Sequence, residues 1–119
     1  MTGRARESAP ELRLRRASSV WSRAVGLLAG QRLGDSEGLW INPCMAVHTI
    51  GMRFPIDVVF LDRHQAVIRV VANLPPYRFA ICWRASSVVE LPANYCARHK
   101  NYAAAITRAI CLAERRQPV

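Results

Sequence analysis

The stretch Pro43–Asp62, PCMAVHTIGMRFPIDVVFLD, decides how this chain reads. Its second half, Ile56 to Leu61 (IDVVFL), has the β-branched and aromatic content of a buried strand. Asp62-Arg63-His64-Gln65 then makes a turn, and Ala66 to Ala72 (AVIRVVA) returns as the partner strand. The same stretch crowds Cys44, His48, Thr49, Met52 and Asp57 among those core-forming residues. The stretch is therefore both the entry to a central hairpin and the place where reactive side chains gather.

Towards the N-terminus, Leu39-Trp40-Ile41 reads as a short strand ended by Asn42-Pro43. Residues 33–38 combine two glycines with Asp35 and Ser36, which marks a loop. Ser18 or Ser19 caps a predicted helix over 20–29, with Gly30 as its stop. Leu12 and Leu14 alternate with Arg13 and Arg15, a half-buried strand pattern. Towards the C-terminus, the Pro75-Pro76 pair makes residues 73–77 a loop, since prolines break a central ladder. Residues 80–83 and 87–91 read as strands, the second stopped by Pro92. Residues 93–100 fit a short helix, whereas 102–113 (YAAAITRAICLA) mixes helix-forming alanines with an extended-looking ITRAICL. The expected organisation is a flexible N-terminus over 1–11, one compact β-rich domain over 12–113 and a tail over 114–119.

With 119 residues, 51% of them hydrophobic and 21% charged, the chain has the size and composition of one folded domain. No apolar run reaches the roughly 20 residues of a membrane span. The first apolar run, Ala24 to Leu28, is short and follows six arginines, so no secretion signal is read. The expected location is the cytoplasm. The cysteines at 44, 82, 96 and 111 form no Cys-x-x-Cys pair and read as free thiols, with Cys82 and Cys111 in apolar surroundings. The net charge of +9 divides into +5 over 1–33, zero over 34–83 and +4 over 84–119. Such basic flanks attract anions, yet no basic motif interleaved with aromatics accompanies them, so a solvated surface is preferred to nucleic-acid binding.

Three runs, RAVGLLAGQRLGDSEGLWINPC, VHTIGMRFPIDVVFLD and VVELPA, together resemble the domain of unknown function 192 family. They carry Gly26-Leu27, Glu37-Gly38-Leu39, the His48-to-Asp57 segment and Glu90-Leu91-Pro92-Ala93 in the order that family shows. The match spans residues 20–93, about three fifths of the chain. Many members carry Trp-Met-x-Asn-Thr where this chain has His48-Thr49-x-x-Met52, so it resembles a variant branch with Pro-Cys and His-Thr. Asn94 replaces a usual glycine, a position where asparagine still reaches the left-handed conformation. The family's closing Gly-Asp is absent. The resemblance implies a compact β-rich domain, a small barrel-like sheet with one or two helices, and no established activity.

The expected fold is thus α+β and β-dominated: a small barrel-like, mixed or antiparallel sheet with one N-terminal helix and a short helical C-terminal region. Three readings of the polar cluster follow. In the first, Asp57 accepts backbone N–H groups of the 51–55 connector and the cluster serves the fold. In the second, Trp40, His48, Met52 and Phe54 line a pocket oriented by Thr49, Arg53 and Asp57, binding a small ligand or a protein partner. In the third, Cys44, His48 and Asp57 form an activated thiol, which no oxyanion-hole motif accompanies. Cys44, Ala46, His48 and Ile50 share one face of an extended segment, but same-strand residues four apart lie roughly 13 Å apart, too far for a direct Cys44–His48 bond. His64 and His99 stand apart and read as surface residues, and no metal or cofactor is expected. Glu90 reads as an edge or turn partner, with an arginine as a candidate counterpart, rather than an acid catalyst. The function expected is a non-enzymatic binding or accessory module at His48–Asp57. A Cys/His-dependent hydrolase at the same place ranks second, and nucleic-acid binding through the basic flanks ranks third.

Overall fold

A computed structural model of the chain describes residues 11–17 and 33–116. Among these, the strands are β1 (Arg13–Ala17), β2 (Glu37–Ile41), β3 (Ala46–His48), β4 (Ile56–Leu61), β5 (Val67–Leu74), β6 (Phe79–Ile81) and β7 (Ser87–Pro92). Two helices follow, α1 (Tyr95–Arg98) and α2 (Tyr102–Arg116). The helix predicted over 20–29 lies outside the described residues, as does most of the 1–11 segment.

The larger sheet runs in the order β1-β2-β7-β4-β5. The β1–β2 pair is parallel, and the pairs β2–β7, β7–β4 and β4–β5 are antiparallel, so the sheet is mixed. All six residues of β4 are buried, because β7 and β5 flank it and both its faces are covered. Its even residues Ile56, Val58 and Phe60 enter one apolar cluster, with Leu39, Ile41, Val47, Ala80 and Val88. Its odd residues Val59 and Leu61 enter another, with Leu14, Trp40, Val89, Leu91, Ile106 and Ile110. The period-two alternation of β4 and β7 thus builds a core on each side of the sheet.

Each core has its own cover. On one side lies α2, whose buried residues Ile106, Ala109, Ile110 and Ala113 recur at helical spacing. On the other lies a two-stranded ribbon, β3 paired antiparallel with β6, which sends Val47 and Ala80 inwards. With a separate layer over each face, the sheet stays open. This corrects the barrel-like expectation: among the described residues β1 and β5 form two edges and are not joined. The C-terminal region is also more helical than expected, since α2 runs for 15 residues. β5 extends through Asn73 and Leu74, which the prolines had assigned to a loop, because Leu74 still pairs with Ile56 before the chain turns.

Candidate functional site

Asp57 sits where the β4–β5 ladder is irregular. Ile56 pairs with Leu74 and Val58 with Val71, leaving Ala72 and Asn73 opposite the single residue Asp57. Asn73 has a positive φ of 53° there, and the Asp57 carboxylate accepts its N–H at 2.9 Å. The same carboxylate accepts the N–H groups of Asn94 at 3.1 Å and Cys96 at 2.9 Å, at the start of α1. Asn94 holds a φ of 69°, the left-handed conformation anticipated for it, and its side-chain oxygen accepts from the Asn73 amide at 2.7 Å. Fully buried Asp57 thus clamps the β5 bulge to the β7–α1 corner. Its partners are Asn73, Asn94 and Cys96 rather than the 51–55 connector. Burial pushes the Cys96 thiol up to about 12, with the Asp57 charge and hydrogen bond reinforcing the shift.

Thr49, also fully buried, ties the end of β3 to the segment after β5. Its hydroxyl donates to the Pro75 carbonyl at 2.7 Å and accepts from the Arg78 N–H at 2.9 Å. Its backbone N–H donates to the Arg78 carbonyl at 2.9 Å, and its carbonyl accepts from the N–H groups of Met52 and Tyr77. Gly51, with a φ of 88°, makes the turn between these contacts. Met52 is buried in the core on the ribbon side, Phe54 is half-buried against it and Arg53 is exposed. Trp40 is buried in the opposite core, under α2, with the Arg16 guanidinium 5.1 Å from its ring centroid.

His48 is half-buried on the outer side of the ribbon. Its Nδ1 accepts the Ile50 N–H at 3.3 Å, and its ring meets Phe79 of β6 edge-on at 6.4 Å. Cys44 is half-buried, and its thiol donates to the Ala46 carbonyl at 3.0 Å, a bond that requires the protonated form. The predicted residues are therefore split by the sheet. His48, Thr49 and Met52 belong to the ribbon side; Asp57 and Trp40 face the helical side, as the alternation along β4 and β2 dictates. Glu90, expected at an edge or turn, is fully buried in β7 between β2 and β4.

One cleft of about 250 Å3 opens near the connector, lined by Leu33, Asp35, Phe54, Pro55, Ile56, Pro92, Ala93 and Arg98. Phe54 alone among the predicted pocket residues lines it. The more prominent feature is one that sequence reasoning missed. Among the described residues, the exposed large hydrophobic side chains are Met45, Ile50, Tyr77, Phe79, Ile81 and Trp83, each between 40% and 75% exposed. All six lie on the ribbon or at its ends. Ile81 pairs with Ala46 and Phe79 with His48, while the Cys82 N–H donates to the Met45 carbonyl and the Tyr77 N–H to that of Thr49. The signal was present in Tyr77-Arg-Phe-Ala-Ile-Cys-Trp83, where large apolar residues alternate with smaller or charged ones.

The sequence profile of the DUF192 family, an uncharacterised one, matches residues 2–102. The chain is similar to a protein of unknown function from Novosphingobium aromaticivorans, with 26% identity over 73% of this chain and 67% of that one, and a TM-score of 0.64. It also shares its fold with a candidate transcription regulator from Sinorhizobium meliloti, at 16% identity over 71% of each chain and a TM-score of 0.63. No curated protein matches. Among the described residues no helix is long and apolar enough to cross a membrane.

Proposed function

We propose, for a chain that belongs to the DUF192 family, that it is a non-enzymatic binding or accessory module whose contact face is the outer side of the β3–β6 ribbon, centred on His48. The observation that carries this reading is the gathering of six exposed large hydrophobic residues on that ribbon and at its ends. Monomeric proteins rarely expose a contiguous apolar patch without a use for it. Of the residues first singled out, Arg53 is exposed and His48 half-buried with its ring edge against Phe79, while Thr49, Met52, Asp57 and Trp40 support the scaffold beneath. The unit is a single module over 12–113, acting in the cytoplasm, where its four cysteines, none of them in a disulfide, stay reduced. The thiol of Cys44, spent on a neighbouring carbonyl, argues against a hydrolase.

Site-specific photo-crosslinking in cells tests this. A crosslinker replacing Phe79 gives discrete adducts, whereas one replacing Ala104, exposed on α2, does not. Equal, diffuse labelling from both positions contradicts the assignment.

A further inference from the structure

The ribbon's charge says what kind of partner it fits. Arg78 and Arg84 bracket Phe79–Trp83 and are exposed, as is Arg53 in the loop beyond β3. Arg69 reaches across from β5 to donate to the Ile81 carbonyl at 2.6 Å. Between Pro43 and Ser86 the acidic residues are Asp57 and Asp62. Asp57 is buried on three backbone N–H groups, and Asp62 accepts the N–H groups of His64 and Ala66 in the β4–β5 turn. This segment therefore offers apolar and cationic groups while its carboxylates are engaged elsewhere.

Two anionic partners suit such a face: single-stranded nucleic acid and an anionic bilayer surface. Stacking on bases uses aromatic rings, and Met45, Ile50 and Ile81 have no π face to contribute. All six side chains gain by leaving water for the interfacial region of a bilayer, where Trp and Tyr are favoured and arginine meets lipid phosphates. Resting on the binding-face reading above, we infer that the β3–β6 ribbon docks on the surface of an anionic lipid bilayer, its apolar side chains at the headgroup boundary and its arginines on the phosphates. The domain lies on the membrane without crossing it.

Flotation of the full chain with vesicles tests this, comparing equal parts phosphatidylglycerol and phosphatidylcholine with phosphatidylcholine alone. The chain floats with the anionic vesicles and not with the neutral ones. The variant Phe79→Ser/Trp83→Ser loses at least about tenfold in partitioning, because apolar area drives insertion. Arg78→Glu/Arg84→Glu weakens binding, while Arg115→Glu/Arg116→Glu, the same change of charge on α2 in the opposite layer, leaves it near the parent. Equal loss from both charge pairs, or unchanged binding of Phe79→Ser/Trp83→Ser, overturns the proposal in favour of undirected charge attraction. Tighter binding to a single-stranded oligonucleotide, lost in the ribbon variants, overturns it in favour of nucleic acid. If vesicles fail while the position-79 crosslink persists, the lipid inference falls and the binding face stands; if both fail, both fall.

Discussion

Asp57 read first as a residue that fixes the fold by accepting backbone N–H groups and second as a polar group of a pocket, and its three N–H donors, from Asn73, Asn94 and Cys96, account for it. A buried carboxylate with that set of partners leaves two strained asparagine turns unsupported when it is removed. Asp57→Ala should therefore cost about 3 kcal/mol of stability in urea unfolding. The Cys96 thiol beside it adds a pH dependence. In the unfolded chain the thiol ionises near 9.0, and in the folded chain it keeps its proton to about 12. Between those values the folded state binds more protons, so this stabilising contribution is complete below pH 9 and lost as pH rises towards 12. Burial raises Tyr95 in the same direction. Urea midpoints at about pH 8 and about pH 10.5 should fall less steeply in Cys96→Ala than in the parent. Gly38 makes a third test: an added Cβ would lie 2.7 Å from the Glu90 carbonyl oxygen and 2.8 Å from the Leu14 and Leu91 side chains. Since the nearest obstacle is backbone of the paired strand β7, Gly38→Ala should cost about 2 kcal/mol.

At the scale of elements, β4 and β5 were legible because a hairpin buried on a core announces itself in a run such as IDVVFL. The C-terminal segment was not. Its alanines suggested helix and its ITRAICL run extension, leaving it ambiguous, but Ile106, Ala109, Ile110 and Ala113 fall on one helical stripe, and packing on the sheet outweighs the small propensity penalty. Ile110→Ala should therefore cost about 3 kcal/mol, as for any fully buried core side chain. The ribbon was half legible. Alternation told which residues of 44–50 share a face, and not which face of another sheet they would cover. Its open side also escaped notice, because an exposed strand and a buried one carry similar apolar residues.

Across the whole molecule, the sheet explains why proximity in sequence misled about the site. His48 and Asp57 lie nine positions apart, but the chain passes from the ribbon layer into the central sheet between them, and Asp57 then points to the far side. Among the described residues, three layers give two chemically different outer surfaces: a helix bearing charges, and a ribbon bearing exposed aromatics and arginines. The Glu11–Arg108 ion pair, 3.0 Å long and exposed, links α2 to the start of β1 and contributes little energy. The fold itself rests on the two cores, and the ribbon's outer side is surplus to it. Urea unfolding of Phe79→Ser/Trp83→Ser tests that claim most directly. We predict a stability within about 0.5 kcal/mol of the parent, as expected for surface positions. A loss of about 2 kcal/mol or more would mean that these side chains are packed in the folded chain, and would contradict the assignment of the ribbon as a free contact face.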